Sequence, residues 1–264
     1  MTSAEGSKGG RKVVIVTGGS RGIGREVSLS LAANGWSVVT MFAGNEKAAD
    51  VLVAEIYENW GAGKAMAVKG DVSVAADVKN AFDRAEEAFG HVNAVVNLAG
   101  TIASHLPKLA DTTEEEWDRI FTVNTKGTFL VCKEAEKRLV SGGRILTCST
   151  SLAVILNPGY SAYVASKAAV EALTKILAKE LRGKNITANC ISPGPIAGEF
   201  LFAGKSPEQI SALTNMAPLE RLGQPQDIAG VVKFLLSDDA AWVNGQILRV
   251  NGGSGIAGRN AKEP

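Results

Sequence analysis

The feature that most restricts how this chain can fold is a regular alternation of short apolar runs with helix-like segments. The first run, KVVIVTGG at 12–19, is rich in β-branched residues and suits a strand that is buried on both faces. The segment after it places Ile23, Val27 and Leu31 at helical spacing. Strand-like runs that alternate with helices predict an α/β fold with a doubly wound, mostly parallel sheet and helices on both faces. Further strand-like runs bring the total to about seven: 36–42, 65–72, 91–100, 142–150, 185–194 and 246–253.

Length and composition indicate one globular domain. The 264 residues are 45% hydrophobic and 21% charged, which provides enough apolar surface to fill one core. No internal repeat or linker interrupts the alternation. We therefore expect a single domain over 11–255, with a flexible N-terminal tail at 1–10 and a C-terminal tail at 256–264.

Charge and cysteine content argue against several classes of function. Lys and Arg number 28 against 27 for Asp and Glu, without a dense basic run, so neither nucleic acid nor an anionic membrane is expected as a partner. No apolar run is long enough to span a membrane. Cys132, Cys148 and Cys190 lie far apart, which argues against a disulfide framework or a metal site. Together with the lack of a signal sequence in the first ten residues, this predicts a cytoplasmic protein.

The turn after the first strand has the sequence TGGSRGIG at 17–24 and opens the first predicted helix. Glycines in such a turn let the backbone bend sharply and approach a pyrophosphate, whose charge the helix N-terminus would meet. A glycine-rich turn alone is weak evidence, because many strand–helix turns need glycine for steric reasons. In this strand-to-helix context, it predicts that a dinucleotide cofactor is bound by Gly18, Ser20, Arg21, Gly22, Ile23 and Gly24.

The end of the second strand indicates which dinucleotide is bound. NAD sites usually carry an acidic residue there, but this strand is followed by Ala43, Gly44 and Asn45. These small residues leave room for a 2′-phosphate, which Arg21 could contact as a fixed cation, with Lys47 as a second candidate. Arg21 could instead be an ordinary solvated loop residue. The missing acid together with Arg21 predicts NADP(H).

Polar residues and glycines also occur at the ends of the other predicted strands. Ligands of doubly wound sheets bind at the carboxyl ends of the strands, near the point where the strand order reverses. The chain places Asp71, Asn97–Gly100, Ser149–Ser151 and Pro193–Gly194 at those ends. We therefore expect the functional site at this edge of the sheet.

Seven motifs occur in a characteristic order: TGGSRGIG at 17–24, GDV at 70–72, NLAG at 97–100, Asn124 in NTKG, YVASK at 163–167, PGPI at 193–196 and GQILRVNGG at 245–253. In this set and order, the chain resembles the classical subgroup of the short-chain dehydrogenase/reductase family, from about residue 11 to residue 253. Within that subgroup it is most similar to plant NADPH-dependent aldehyde reductase-like proteins, and also to 3-oxoacyl-carrier-protein reductases.

The resemblance carries expectations of its own. It implies a Rossmann-type fold and a homotetramer (or a homodimer), with helices around 113–138 and 162–182 at one interface. It also implies further cofactor contacts, from Asp71, Val72, Asn97, Ala99, Gly100, Tyr163, Lys167, Pro193, Gly194 and Ile196.

Tyr163 and Lys167 lie four residues apart in a helix-like segment, so they share one helix face. A free tyrosine has a pKa of about 10, and a nearby ammonium lowers it because the ammonium favours the phenolate. A pKa of about 7 requires about 4 kcal/mol, which Lys167 and the positive nicotinamide of an oxidised cofactor could supply together. By resemblance, Lys167 also binds the nicotinamide ribose, Tyr163 exchanges a proton with the substrate oxygen, and Asn124 holds a water that links Lys167 to solvent. The alternative is a Tyr–Lys pair on an exposed helix face.

The hydroxyl cluster before this helix departs from the family pattern. Family members usually carry a serine thirteen residues before the tyrosine, where this chain has Thr150. A threonine hydroxyl can make the same hydrogen bond to the substrate oxygen, although its methyl group narrows the site. Ser149 and Ser151 would face away in a regular strand, but a bulge could bring Ser151 in instead. Thr150 is therefore the first candidate and Ser151 the second.

The segment around 195–225 is expected to shape the substrate site. Ser206 and Pro207 begin a predicted helix, and by resemblance the segment is a mobile lid over the substrate. The alternative is an ordinary pair of core-packing helices. The segment has no cluster of Arg or Lys, such as a phosphorylated or carrier-linked substrate would need. A small or apolar aldehyde or ketone is therefore expected.

The sequence therefore predicts an NADP(H)-dependent oxidoreductase that reduces a carbonyl to the alcohol, with Tyr163 as general acid. One alternative is a dehydrogenase of specialised metabolism that works in the oxidative direction. The other is a weakly active NADP-binding interaction protein, although such proteins commonly lose the tyrosine or the lysine, and both are present here.

Overall fold

The structure, a computed structural model, describes residues 12–103, 105–203 and 205–255. The two predicted tails, at 1–10 and 256–264, lie outside the described residues.

Within the described residues, seven parallel strands form one sheet in the order β3-β2-β1-β4-β5-β6-β7, which confirms the predicted doubly wound fold. The strand order reverses between β1 and β4, so the switch point lies where these two strands meet. All residues of β1 are buried, as expected for a strand covered on both faces. Each strand overlaps one predicted apolar run: β1 (Val13–Thr17), β2 (Ser37–Phe42), β3 (Ala65–Lys69), β4 (Val92–Asn97), β5 (Leu139–Cys148), β6 (Thr187–Pro193) and β7 (Ile247–Val250).

Helices connect the strands and cover both faces of the sheet. The helix between β2 and β3 is among those that the sequence analysis did not single out. No helix in the described part of the chain is long and apolar enough to cross a membrane. The helices are α1 (Gly22–Ala33), α2 (Glu46–Trp60), α3 (Ala75–Phe89), α4 (Glu114–Phe121), α5 (Gly127–Arg138), α6 (Leu152–Ile155), α7 (Ser161–Glu180), α8 (Glu199–Phe202), α9 (Pro207–Asn215) and α10 (Pro225–Leu236).

Two apolar layers hold the helices to the sheet. On one face, Phe82 of α3 and Leu177 of α7 are buried against the strands. On the other face, Leu31 of α1, Leu52 of α2 and Ile228 of α10 are buried in the same way. Full burial of each such side chain contributes about 1.5–3 kcal/mol relative to exposure, so both faces are firmly fixed. The helices are therefore a rigid support for the strand ends.

Gly24 sets how closely α1 packs against the turn that precedes it. A Cβ atom on Gly24 would overlap the carbonyl oxygen of Gly18 and would lie 2.8 Å from the Cα of Gly19. Those contacts are with backbone atoms, which cannot move aside as a flexible side chain can. Glycine is therefore required at this position for the observed packing of α1.

We expect Gly24→Ala to lower the free energy of unfolding by about 3 kcal/mol, because the added methyl overpacks the turn. Gly230→Ala in α10 is the matched control, since a Cβ there would meet no atom within 4 Å. The control should raise the free energy of unfolding by about 0.5–1 kcal/mol, because alanine is the better helix former. Urea denaturation of the two variants measures both values. Equal effects of the two substitutions would contradict the packing role of Gly24.

Candidate active site

The carboxyl ends of β1, β4, β5 and β6 meet at one edge of the sheet. Gly18, after β1, lies against the turn after β4, and a Cβ on it would come within 3.0 Å of the Ala99 nitrogen. The Ser151 N–H, after β5, donates to the carbonyl of Pro193 in β6 at 2.9 Å. These approaches bring the glycine turn, the NLAG motif, the hydroxyl cluster and the PGPI motif to the same edge.

The turn at 18–24 has the conformation that a phosphate-binding turn needs. Gly18 and Gly22 have φ angles of 65° and 52°, a region that residues with a side chain rarely adopt. A Cβ on Gly22 would meet no atom within 4 Å, so the turn leaves open space beside α1. No side chain caps α1, and its first turn contains no acidic residue, so its N–H groups and the positive end of its dipole are available to an anion. The turn therefore fits a pyrophosphate.

Arg21 immediately precedes α1 and is exposed. Within the described residues, its guanidinium forms neither a hydrogen bond nor an ion pair. Arg25, one turn further along α1, is instead paired with Glu55. Arg21 is thus the arginine at this end of α1 that is available to a ligand. Of its neighbours, Ser20 is buried and Ile23 packs against the apolar layer on the α1 face.

Open space lies at the end of β2, beside the turn at 18–24 that contains Arg21. Ala43, Gly44 and Asn45 are all exposed, and a Cβ on Gly44 would meet no atom within 4 Å. The Asn45 side chain accepts the Ala48 N–H at 3.0 Å and so caps α2. The first carboxylate after β2 belongs to Glu46, which lies 3.5 Å from the ammonium of Lys69. Small exposed residues without a free carboxylate fit a ribose that carries a 2′-phosphate.

Asp71 and Val72 follow β3 and are engaged in local contacts. The Asp71 carboxylate accepts both the N–H and the hydroxyl of Ser73 at 2.8 Å. Val72 is 6% exposed, and its side chain packs against Gly127 at the start of α5. The contacts of these two residues with a cofactor stay predictions, as do those of Pro193, Gly194 and Ile196.

A chain of buried hydrogen bonds links β1 to the segment before α5. The Thr17 hydroxyl donates to Asn97 Oδ1 at 2.6 Å and accepts the Ala99 N–H at 3.1 Å. Asn97 Nδ2 donates to the Thr128 hydroxyl at 2.8 Å, which in turn donates to the carbonyl of Asn124 at 2.6 Å. Sequence reasoning identified Asn97 and Asn124 but missed both threonines. The signal that could have found them is their position next to motif residues.

Asn124 lies in a π-helical turn, Thr122–Lys126, between α4 and α5. Such turns are rare and occur often at functional sites. The Asn124 side chain is fully buried: Oδ1 accepts the Thr101 N–H at 2.8 Å, and Nδ2 donates to the Thr101 carbonyl at 2.9 Å and to Ser166 Oγ at 3.0 Å. The side chain therefore ties the turn after β4 to α7. The predicted water relay through Asn124 stays a prediction.

Tyr163 and Lys167 both belong to α7, in its first two turns. Lys167 is only 4% exposed, and its Nζ donates to the carbonyl of Cys148, the last residue of β5, at 2.8 Å. The same Nζ lies 6.0 Å from the centroid of the half-buried Tyr163 ring. The alternative of a Tyr–Lys pair on an exposed helix face is therefore wrong.

The three hydroxyls before α7 point to three different partners. The Thr150 hydroxyl accepts the Leu152 N–H at 3.3 Å and lies near enough to the Tyr163 phenol to affect its pKa. The Ser149 hydroxyl donates to Glu171 at 2.7 Å, and the Ser151 hydroxyl donates to the carbonyl of Ser192 at 3.1 Å. The arrangement brings Thr150, and neither serine, to Tyr163. It supports the choice of Thr150 over Ser151.

The pKa of Tyr163 is shifted opposite to the expected direction. Burial raises the pKa of the phenol above its ordinary value, because an apolar environment disfavours the phenolate, and the half-buried Cys148 thiol and Tyr160 add to the rise. The nearby Thr150 hydroxyl opposes this rise of the pKa without overcoming it. Lys167 does not reverse the shift, since its ammonium is directed at the Cys148 carbonyl. The expectation of a lowered Tyr163 pKa is therefore wrong for the protein by itself.

The predicted lid segment contains two short helices, α8 and α9. The Ser206 side chain accepts the Gln209 N–H at 3.3 Å and Pro207 follows it, which confirms the predicted helix start. Phe200 and Phe202 of α8 are 58% and 40% exposed. A cavity of about 210 Å³ lies below the end of the segment, next to Pro195 and Ile196. The movement of this segment as a lid stays a prediction.

We expect Tyr163 to keep its proton in the isolated protein beyond the ordinary tyrosine pKa of about 10. The reason is the desolvation of its phenol, which raises its pKa. The near-ultraviolet absorbance of phenolate, measured against pH for the native protein and for Tyr163→Phe, isolates this one titration by difference. A difference titration near neutral pH, without any added ligand, would refute the effect of burial.

Comparisons with known proteins show which family the chain is similar to. A family model described as enoyl-(acyl carrier protein) reductase matches residues 18–255. A short-chain type dehydrogenase/reductase of Picea abies is 51% identical, over 92% of this chain and 92% of the relative. An NADPH-dependent aldehyde reductase-like protein, chloroplastic, of Arabidopsis thaliana is 46% identical, over 92% of this chain and 93% of the relative. The crystal structure of a blue fluorescent protein from a metagenomic library in complex with NADPH superposes with a TM-score of 0.87 at 32% identity, over 94% of this chain and 99% of that one.

Two expectations are left open by these findings. The homotetramer stays a prediction. Phe129 of α5 and Ile176 of α7, on the two helices expected at an interface, are 45% and 54% exposed. The cytoplasmic location also stays a prediction.

Proposed function

The chain belongs to the short-chain dehydrogenase/reductase family and is an oxidoreductase of that family, and from this premise we propose that it reduces an aldehyde or ketone to the alcohol with NADPH. The observation that carries the proposal is the arrangement of Thr150, Tyr163 and Lys167 at the end of β5, with Tyr163 half-buried and Lys167 buried. The NADPH-dependent aldehyde reductase-like relative from Arabidopsis thaliana supports both the cofactor and the carbonyl substrate.

The residues that would hold NADPH are those of the glycine turn and the end of β2. The turn at 18–24 would receive the pyrophosphate, because its glycines leave open space and α1 offers unpaired N–H groups. Arg21 would pair with the 2′-phosphate beside Ala43 and Gly44, where neither a free carboxylate nor a bulky side chain competes. When bound, the reduced nicotinamide supplies a hydride to the carbonyl carbon.

The chain's own residues manage the proton that the reaction needs. Thr150 donates a hydrogen bond to the carbonyl oxygen and so holds it next to Tyr163. The Tyr163 hydroxyl transfers its proton to that oxygen as negative charge develops there, and the phenolate left behind regains a proton from solvent. Because burial raises the pKa of Tyr163, the phenol is protonated at neutral pH and ready to act as an acid. This state suits reduction, the direction proposed here.

Lys167 stabilises the phenolate of Tyr163 once the proton has left. Its ammonium is kept in place by the Cys148 carbonyl, 6.0 Å from the Tyr163 ring centroid, so a positive charge is already present near the developing negative one. Asn124 acts on the same helix through Ser166, one residue before Lys167. We assign Asn124 the task of fixing α7, in addition to the relay suggested by resemblance.

The substrate side of the site favours small or apolar carbonyl compounds. Ile102, Ala103 and Pro107 contribute apolar surface next to Tyr163. Arg221, near the end of the lid segment, is bound to Asp227 at 2.6 Å and is therefore not free to bind an anionic substrate. These features argue against phosphorylated substrates.

We expect the protein to oxidise NADPH in the presence of aldehydes, and Tyr163→Phe to lower kcat by about 10²–10⁴-fold, the usual contribution of general acid catalysis. The loss of nicotinamide absorbance over a panel of aldehydes, ketones and a 3-oxoacyl thioester measures both. Tyr57→Phe is the matched control, because the Tyr57 hydroxyl donates to the carbonyl of Ala65, far from the site in the fold. Tight NADPH binding without turnover, unchanged in Tyr163→Phe, would contradict the proposal and favour a binding protein.

We expect Arg21→Ala to raise KM for NADPH by about 10–100-fold, the value of a lost charge-assisted hydrogen bond, and to change KM for NADH little. Arg25→Ala is the control, since Arg25 is already paired with Glu55. Steady-state kinetics with both cofactors test this choice. A native enzyme that prefers NADH would refute the argument from Arg21 and the missing acid.

A further inference from the structure

A narrow slot opens beside Tyr163, between the turn after β4 and the start of α7. Its apolar wall includes Ile102, Ala103 and Pro107, and its other wall is formed by the segment from Gly159 to Tyr163. The free space in the slot is about 10 Å³. That volume matches about one water molecule or one hydroxyl group, and is too small for an alkyl chain.

The walls of the slot are fixed by packing. Ala103, Ile120 and Ala162 form a separate apolar cluster with Trp117, which joins the turn after β4 to α4 and α7. Gly159 allows the close approach of the two walls, because a Cβ on it would come within 2.8 Å of the Leu106 carbonyl oxygen. The slot is therefore a built feature of the fold.

Tyr160 provides a second phenol in the same slot. It lies three residues before Tyr163, and its main chain is fixed because its carbonyl accepts the Val164 N–H at 2.8 Å. The side chain is half-buried, and across the described residues its hydroxyl has no hydrogen-bond partner. A partly desolvated hydroxyl without a partner is unfavourable, and a polar group of a ligand would relieve that cost.

Tyr160 is suited to donate rather than accept. Burial raises the pKa of its phenol, so it carries its proton at neutral pH. The two phenols also line the same slot. A ligand oxygen held by Tyr160 would therefore lie near the oxygen held by Tyr163.

We propose that Tyr160 determines substrate specificity by donating a hydrogen bond to a second oxygen of the substrate, so that carbonyl compounds with a hydroxyl close to the carbonyl, as in a β-hydroxy aldehyde, are preferred. The size of the slot selects a hydroxyl over a longer chain, so the carbon skeleton of the substrate would lie outside the slot. This inference rests on the proposed function, because it concerns the substrate of the same site.

The test compares the native enzyme, Tyr160→Phe and Tyr57→Phe with two aldehydes that differ in one hydroxyl, butanal and β-hydroxybutanal. We expect the native enzyme to favour β-hydroxybutanal in kcat/KM by about tenfold, the value of one hydrogen bond. Tyr160→Phe should lose this preference with little change for butanal, and Tyr57→Phe should keep it. Tyr160→Phe retains the ring and removes no hydrogen bond within the described residues, so it should fold like the native chain.

Calorimetry measures how the two product alcohols, butanol and the glycol butane-1,3-diol, bind to the NADP⁺ complex, and this readout does not require turnover. A native preference for the glycol that disappears in Tyr160→Phe supports the inference even if neither aldehyde is reduced, in which case the proposed function alone fails. Equal binding of the two alcohols by the native enzyme, or a preference that persists in Tyr160→Phe, overturns the inference. An equal loss of kcat/KM for both aldehydes in Tyr160→Phe also overturns it, since that pattern indicates a structural role.

Discussion

The buried ammonium of Lys167 is the constraint on which the rest of the site depends. A cation that is 4% exposed must be hydrogen-bonded, because an unpaired charge in the interior costs several kcal/mol. The carbonyl of Cys148 meets this need at 2.8 Å, and the absence of a side chain at Gly100 leaves the required space, since a Cβ there would lie 3.2 Å from Nζ. The end of β5, the NLAG turn and α7 are therefore held in fixed relation by one charged group.

The positions of the glycine turn and of α7 are coupled through buried polar side chains. Thr17, which precedes the turn, is connected through Asn97 and Thr128 to Asn124, and Asn124 is bonded to Ser166 of α7. Every link is 3.0 Å or shorter. A satisfied buried network of this kind is rigid, because breaking any link leaves a polar group unpaired in the interior. The part that would bind the cofactor and the part that would transfer the proton are thus built as one unit.

Local sequence patterns predicted the fold, but they could not predict the burial of side chains or the contacts between distant segments. The strands were predictable because parallel strands buried on both faces read as continuous apolar runs. The helix α2 was missed, although Leu52 and Ile56 have helical spacing and Asn45 is a good cap. Helical spacing also placed Tyr163 and Lys167 on one face, but it carries no information on burial. The contact of Lys167 with the Cys148 carbonyl, and a Tyr160 hydroxyl without a partner among the described residues, depend on how the walls of the site pack, so no spacing within one segment could predict them.

Charge magnitudes explain why the Tyr163 pKa departs from the expectation. If the distance from Lys167 Nζ to the Tyr163 ring centroid, 6.0 Å, is taken as the charge separation, an effective dielectric constant near 20 gives about 3 kcal/mol of phenolate stabilisation, or about two pKa units. That is less than the roughly 4 kcal/mol needed to move a free tyrosine from about 10 to about 7, and burial raises the requirement further. Lys167 alone therefore cannot make Tyr163 a base at neutral pH. A phenol that keeps its proton at neutral pH suits the acid role proposed for Tyr163, so the packing of the site agrees with that proposal.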